Sequence, residues 1–311
     1  MPSLVNTALT FLALLLAAGP LHAARIEVVA SFSIVADFVR QVGGNRVDVI
    51  TLVGPDEDAH GFQPRPSDAR AVREADLLVA NGLGFDAWME RLAQSAGYRG
   101  PIVTASAGVT PLDAPAHDGH AHAHDHDHDH DRDSIDPHAW QDVANARIYV
   151  ENIAAALARI DPDGAQHYRD NAARYTAALA TLDAEIRRTL SVLPPARRKV
   201  VTSHDAFGYF DRAYGIRFLP AAGVGSHSEP SAAGIARLIR QLRREDIPVV
   251  FIENVKDPRL IERIGKESGA RVGGTLYSDA LSGPDGPAPT YIDMMRFNVD
   301  ALVDGLRGDH R

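Results

Sequence analysis

The chain has 311 residues, 45% apolar and 23% charged, which is ample for buried cores and suits two domains better than one. A formal charge of −9 argues against a nucleic-acid partner, since neutralising phosphates needs a basic face, and suits a protein whose ligands are cations. With no cysteine, the chain has no disulfide, no thiolate for a metal and no thiol to carry a membrane-tethering lipid.

In chain order, the first segment is unlike the rest. Ala8 to Ala18 is an apolar run too short to span a bilayer, broken by Gly19-Pro20 and followed by the small residues Ala23 and Ala24. This reads as a secretory signal peptide over residues 1–24, although its first residues lack the usual Lys or Arg. The processed protein is expected to be soluble and exported, in the periplasm.

Strands then alternate with helices. Strands are predicted at Ile26–Ala30, Val47–Val53, Leu77–Ala80 and Ile102–Thr104. Between them fall helices at 34–42, ending at Gly43-Gly44, at 67–74 with Ser67 as its cap, and at 85–96. A second set follows, with strands at Lys199–Thr202, Arg217–Leu219, Val249–Ile252 and Arg271–Leu276, and helices at 206–214, 231–244, 258–268 and 291–306. Short β-rich runs separated by helical patterns imply βαβ units and parallel sheets, hence an α/β protein with two related Rossmann-like lobes.

Between the sets lies one long helical segment. Asp161-Pro162 starts it and Pro194-Pro195 stops it. Tyr168, Ala172, Tyr175, Leu179, Leu182, Ile186, Leu190 and Leu193 recur at spacings of three and four, giving one apolar stripe. About thirty residues at 1.5 Å each span roughly 45 Å, enough to brace both lobes against wide opening. The expected organisation is a first lobe over 25–160, a connecting helix over 161–194 and a second lobe over 195–311.

An insert at 114–133 is low-complexity and holds seven of the fourteen histidines: His117, His120, His122, His124, His126, His128 and His130. With almost no apolar residues it cannot bury a core and is expected to be a surface loop. Imidazole and carboxylate at this density suit the collection of transition metals at low affinity, since ordering such a loop costs entropy. An acidic solvated linker is the plainer alternative.

Outside the insert, three histidines sit where strands give way to loops, the usual place for ligands in open α/β sheets. These are His60 in a turn-rich stretch, His138 in Asp-Pro-His-Ala-Trp, and His204 after Val200–Ser203; Asp279 follows the strand ending at Tyr277-Ser278. Singly, each has an ordinary explanation: a solvated loop histidine, a helix cap before Trp140, a turn aspartate. Jointly, two from each lobe offer three imidazoles and one carboxylate, a closed tetrahedral set suited to Zn²⁺. A zinc hydrolase fits less well, because catalytic zinc keeps a position open for water and no His-Glu-x-x-His pair is present. Asp136, Trp140, Ser203 and Glu253 are candidates for orienting the imidazoles. His227 and Glu229 are assigned to a polar loop, and His167 and His310 to the surface.

The boxes His60-Gly-Phe-Gln-Pro, Asp136-Pro-His-Ala-Trp140, Ser203-His-Asp-Ala-Phe-Gly-Tyr209 and Leu276-Tyr-Ser-Asp-Ala-Leu281 resemble those of the cluster A-I substrate-binding proteins of zinc and manganese ABC importers. The resemblance covers essentially all of the mature chain and is closest to the zinc branch of AztC and ZnuA type. It implies two four-stranded lobes on one long helix, metal ligands at His60, His138, His204 and Asp279, and no catalytic residue. Manganese-type members tend to carry Glu where this chain has His204, which favours Zn²⁺ over Mn²⁺ as the cargo; some relatives have a disulfide that this chain cannot form. The implied partners are the permease of an ABC importer and, upstream, a periplasmic metal donor, with the protein itself a monomer. A periplasmic zinc buffer or chaperone that needs no importer explains the same residues.

Overall fold

The computed structural model describes residues 25–113, 135–222 and 231–307. The signal-peptide assignment, the His-rich insert, His227, Glu229 and His310 lie outside these residues.

The first lobe holds β1 (Ile26–Phe32), β2 (Val47–Val53), β3 (Leu77–Ala80) and β4 (Ile102–Thr104), with helices α1 (Ser33–Gly43), α2 (Pro66–Glu74) and α3 (Ala87–Ala96) as crossovers. All pairings are parallel, in the order β2-β1-β3-β4. The central strands are apolar and buried along most of their length, as a sheet covered on both faces requires. A small antiparallel ladder, β5 (Leu112–Asp113) against β6 (Ile135–Asp136), brackets the insert. Helix α4 (Val143–Ile160) and helix α5 (Ala165–Leu190) then run to the second lobe.

That lobe holds β7 (Lys199–Thr202), β8 (Arg217–Pro220), β9 (Val249–Glu253) and β10 (Arg271–Leu276), with α6 (Gly208–Tyr214), α7 (Ala232–Arg244), α8 (Arg259–Ser268) and α9 (Tyr291–Arg307). Its order, β10-β9-β7-β8, is again all parallel and repeats the first: the second strand outside the first, then the third and fourth on the other side. The structure is therefore the expected α/β pair of four-stranded lobes.

Four local expectations are corrected. The long helix has 26 residues, hence about 39 Å, because Pro162–Gly164 forms a separate 3₁₀ turn capped by Asp161, whose carboxylate accepts the Gly164 N–H at 3.1 Å. The helix placed at Trp140 begins at Val143: residues 139–141 are a 3₁₀ turn, and Asp142 caps α4 by accepting the Ala144 N–H at 2.9 Å. Helix α2 starts one residue before Ser67, with Pro66 in the first turn, where its missing N–H costs nothing, and Asp68 accepting the Arg65 N–H at 2.7 Å. Helix α6 starts at Gly208 rather than 206.

The predicted stripe on α5 is buried throughout, from Tyr168 to Leu190, and Leu193 beyond it is buried too. Helix α5 packs on α1 and α4 of the first lobe and on α9 of the second. Phe38 marks the junction: its ring lies 4.8 Å from that of Tyr291, 5.8 Å from Tyr149 and 6.3 Å from Tyr175. Beside it the buried Asp37 carboxylate accepts the Tyr291 N–H at 2.9 Å and Gln41 Nε2 at 3.0 Å. One apolar core thus runs from the first lobe into the inner face of the second, with a smaller cluster around Val201, Ile239 and Ile261 on the outer face.

Because Phe38 serves both lobes, Phe38→Ala should remove about 3–5 kcal/mol of stability. Urea unfolding followed by circular dichroism is the check; a loss under about 1 kcal/mol would mean that the junction tolerates the cavity.

Candidate metal centre

Four side chains converge between the lobes, each delivered from the carboxyl end of a strand or ladder. His60 lies in the 54–65 loop after β2, and His138 two residues after β6. His204 is two residues past β7, and Asp279 three past β10. One ligand atom from each lies within 4.8 Å of every other. His60 Nε2 is 3.3 Å from His138 Nε2, and Asp279 Oδ2 is 3.1 Å from His204 Nε2 and 3.5 Å from His60 Nε2. His138 Nε2 stands 3.5 Å from Asp279 Oδ1. A tetrahedral ion with bonds of about 2.0–2.1 Å separates its ligands by about 3.4 Å, so these spacings suit one small divalent cation.

The chemistry of the donors agrees. Asp279 is fully buried, and among the described residues no donor reaches either carboxylate oxygen with hydrogen-bond geometry. A dry carboxylate with only imidazole nitrogens around it needs a cation or a shared proton. Burial would raise the Asp279 pKa, yet His204 and His138 hold it well below the ordinary carboxylate range. Burial alone would depress His204, but the carboxylates of Glu253 and Asp279 raise it to about 10. His60, by contrast, is lowered by burial, which Asp279 only partly offsets.

Carboxylates behind two of the rings set their orientation. Asp136 Oδ1 lies 2.8 Å from His138 Nδ1 and also accepts the His138 N–H at 2.9 Å. Glu253 Oε2 lies 2.7 Å from His204 Nδ1, and its Oε1 accepts the His204 N–H at 2.9 Å. With Nδ1 turned to a carboxylate, the Nε2 lone pair faces the centre, the arrangement that raises imidazole basicity toward a metal. A Cβ at Gly208 would stand 2.6 Å from Asp136 Oδ2, so a side chain there would displace that carboxylate oxygen. Burial raises the Glu253 pKa, but the facing His204 brings it below the usual value.

Of the other candidates, Trp140 acts on the Asp279 loop: its Nε1 and Gln141 Nε2 each donate to the Ser278 carbonyl at 2.9 Å. Its ring also closes an aromatic wall with Phe85 and Phe32, and Phe85 stands edge-on to His60 at 4.6 Å. Ser203 is buried but bonds none of the imidazoles. His167 is half-buried on α5, with Nε2 3.2 Å from the Gly43 carbonyl, far along the chain from the centre.

Sequence reasoning missed the supports that join distant segments. Tyr149 donates to Asn81 Oδ1 at 2.6 Å, and Asn81 Nδ2 donates to the Pro137 carbonyl at 3.1 Å, beside His138. Lys256 Nζ donates to Asp58 Oδ2 at 2.9 Å across the cleft. The only advance signal was position: Asn81 and Lys256 both follow strand ends.

Glu253→Gln should lower the His204 pKa from about 10, since the charge of Glu253 is the largest of the contributions that raise it. Proton-detected ¹⁵N spectra of the metal-free protein over a pH series are the check. The same change should weaken metal binding by about 10–100-fold.

The family model described as the periplasmic zinc-uptake complex component A, ZnuA, matches residues 28–305. The manganese-binding lipoprotein MntA of Halalkalibacterium halodurans is 34% identical over 281 residues, 90% of this chain and 88% of that one. The iron-binding protein YfeA of Yersinia pestis is 34% identical over 284 residues, 91% of this chain and 87% of that one. Among solved structures, the periplasmic zinc-binding protein TroA of Treponema pallidum superposes with a TM-score of 0.82 at 27% identity, covering 91% of this chain and 99% of that one.

Proposed function

Since the chain belongs to the ZnuA family of periplasmic metal-binding proteins of ABC importers, which are not enzymes, we propose that it captures Zn²⁺ at His60, His138, His204 and Asp279 and delivers it to a membrane permease. The observation that carries this reading is the buried set of three imidazoles and one carboxylate within 4.8 Å of one another. The relatives are variously named for manganese, iron and zinc, so the choice of metal rests on the donors. Imidazole binds zinc more tightly than manganese or iron(II) at a comparable site, and three nitrogens with one oxygen complete a tetrahedron. Four protein ligands leave no place for an activated water, which counts against hydrolysis.

In this reading residues 25–160 and 195–311 are the two lobes and 161–194 the brace between them. Export by cleavage near residue 24 and release without a lipid anchor complete the proposal; among the described residues, no helix is long and apolar enough to cross a membrane. The His-rich insert serves as a low-affinity collector. A periplasmic buffer that never meets a permease remains the second reading, favoured by that insert and separated from the first by a zinc-uptake assay in cells lacking the permease.

Binding exchanges charge at the centre. The carboxylates of Glu253 and Asp279 raise the His204 pKa to about 10, and a metal ligand must be deprotonated, so zinc entry at neutral pH should expel about one proton. The sign follows: affinity falls as pH falls, roughly tenfold per pH unit for each proton displaced. Calorimetry in two buffers of different ionisation enthalpy measures that proton; equal heats in both would contradict it. Competition against a chelator should give one tight zinc per chain, with manganese and iron(II) weaker. Asp279→Ala should weaken zinc binding by more than the 10–100-fold typical of an outer partner yet leave a three-imidazole site. Unchanged affinity in that variant would defeat the ligand assignment.

A further inference from the structure

The four proposed ligands are not equally enclosed. The side chains of His138, His204 and Asp279 are 0–2% exposed, whereas that of His60 is 9% exposed, so the path between the centre and solvent passes His60. His60 sits in the loop of residues 54–65, which is held on its own lobe by Trp88 Nε1 donating to the Ala59 carbonyl at 3.1 Å and is tied as well to the opposite lobe.

Two of its ties to the second lobe come from one turn at the end of β9. Glu253 faces His204 through both its ring and its N–H. The next residue, Asn254, donates from Nδ2 to Asp56 Oδ1 at 3.0 Å, and its backbone N–H donates to the Leu276 carbonyl at 3.0 Å. Lys256 closes the turn, its N–H on the Glu253 carbonyl at 3.1 Å, and its ammonium reaches Asp58 Oδ2 at 2.9 Å. The other oxygen of Asp58 accepts the His60 N–H at 3.0 Å. One carboxylate thus joins a lysine of the second lobe to the backbone of a ligand on the first. The Asp56 N–H on the Leu281 carbonyl, at 2.9 Å, adds a third tie, next to the Asp279 loop.

We infer that Lys256 is a positioning residue: its ion pair with Asp58 is the clasp that keeps the His60 loop shut over the metal, and opening this clasp is the step that sets the rate of metal release. The inference rests on the zinc-capture reading given above. The side chains of the pair are 13% and 30% exposed, so the contact is shielded from water well enough to hold the loop. It still touches solvent, so a partner at the mouth of the cleft can compete for either charge. Neither residue is among the proposed ligands, and besides setting loop position the Asp58 charge is felt by His60 and Asp279.

The test is zinc dissociation from the full chain, followed by stopped flow after adding excess chelator, in the parent, Lys256→Met, Lys256→Arg, Asp58→Asn and the Asp58→Asn/Lys256→Met double variant. Asn at 58 keeps an oxygen for the His60 N–H while discarding the charge. Each charge-removing single variant should release zinc on the order of tenfold faster, with one zinc still bound and the melting temperature of the metal-free protein unchanged. The double variant should be no faster than either single, Lys256→Arg should restore slow release, and added salt should speed release in the parent more than in Lys256→Met. Release from Lys256→Met at the parent rate, or additive effects in the double variant, would overturn the clasp alone. A parent that bound no zinc would overturn the functional reading and this inference with it.

Discussion

A buried ionised carboxylate is among the costlier things a protein interior can hold, several kcal/mol per ion even after relaxation. Asp279 is fully enclosed and stays ionised, so positive charge must come to it. The imidazoles of His204 and His138 face it and hold its pKa down, and a divalent cation would supply positive charge when bound. Two further carboxylates, Asp136 and Glu253, stand behind His138 and His204 and make the rings better donors. The centre is therefore a pocket of excess negative charge waiting for a cation, and the remaining architecture keeps water from meeting that need instead.

The fold meets this demand by duplication. Both sheets use the same strand order, so the carboxyl ends of their strands can face each other across one cleft. Helix α5 and the aromatic junction around Phe38 tie the backs of the lobes into one core. The freedom that remains is local and lies in loops at the mouth, where polar ties such as Asp58 to Lys256 take over from apolar packing. Rigidity behind the metal and adjustability in front of it come from the two kinds of contact.

Much of this was legible in the residues. Alternating strands and helices announced the two lobes, and the stripe from Tyr168 to Leu193 announced the brace, because both depend on periodicities that short-range patterns carry. His60, His138, His204 and Asp279 stood out because histidine outside the insert is scarce and strand ends are where such sheets place ligands. Helix α4 was not delimited: its start is set by Asp142, directly after a 3₁₀ turn, and the Asp-Pro-His-Ala-Trp box draws the eye to the wrong position. The clasp was invisible for a different reason. Asp58 and Lys256 are 198 positions apart, and neither differs locally from an ordinary solvated charge.

The division of the proposed ligands, two from each lobe, has a further consequence. Neither half alone can do more than bite the ion with a pair of donors, and a bidentate grip on a divalent cation is far weaker than a tetradentate one. Because most of the affinity belongs to the pairing of the halves, a slight widening of the cleft would forfeit it abruptly. Such a protein can hold its cargo tightly in the open periplasm and still surrender it to a partner that supplies only a small mechanical push.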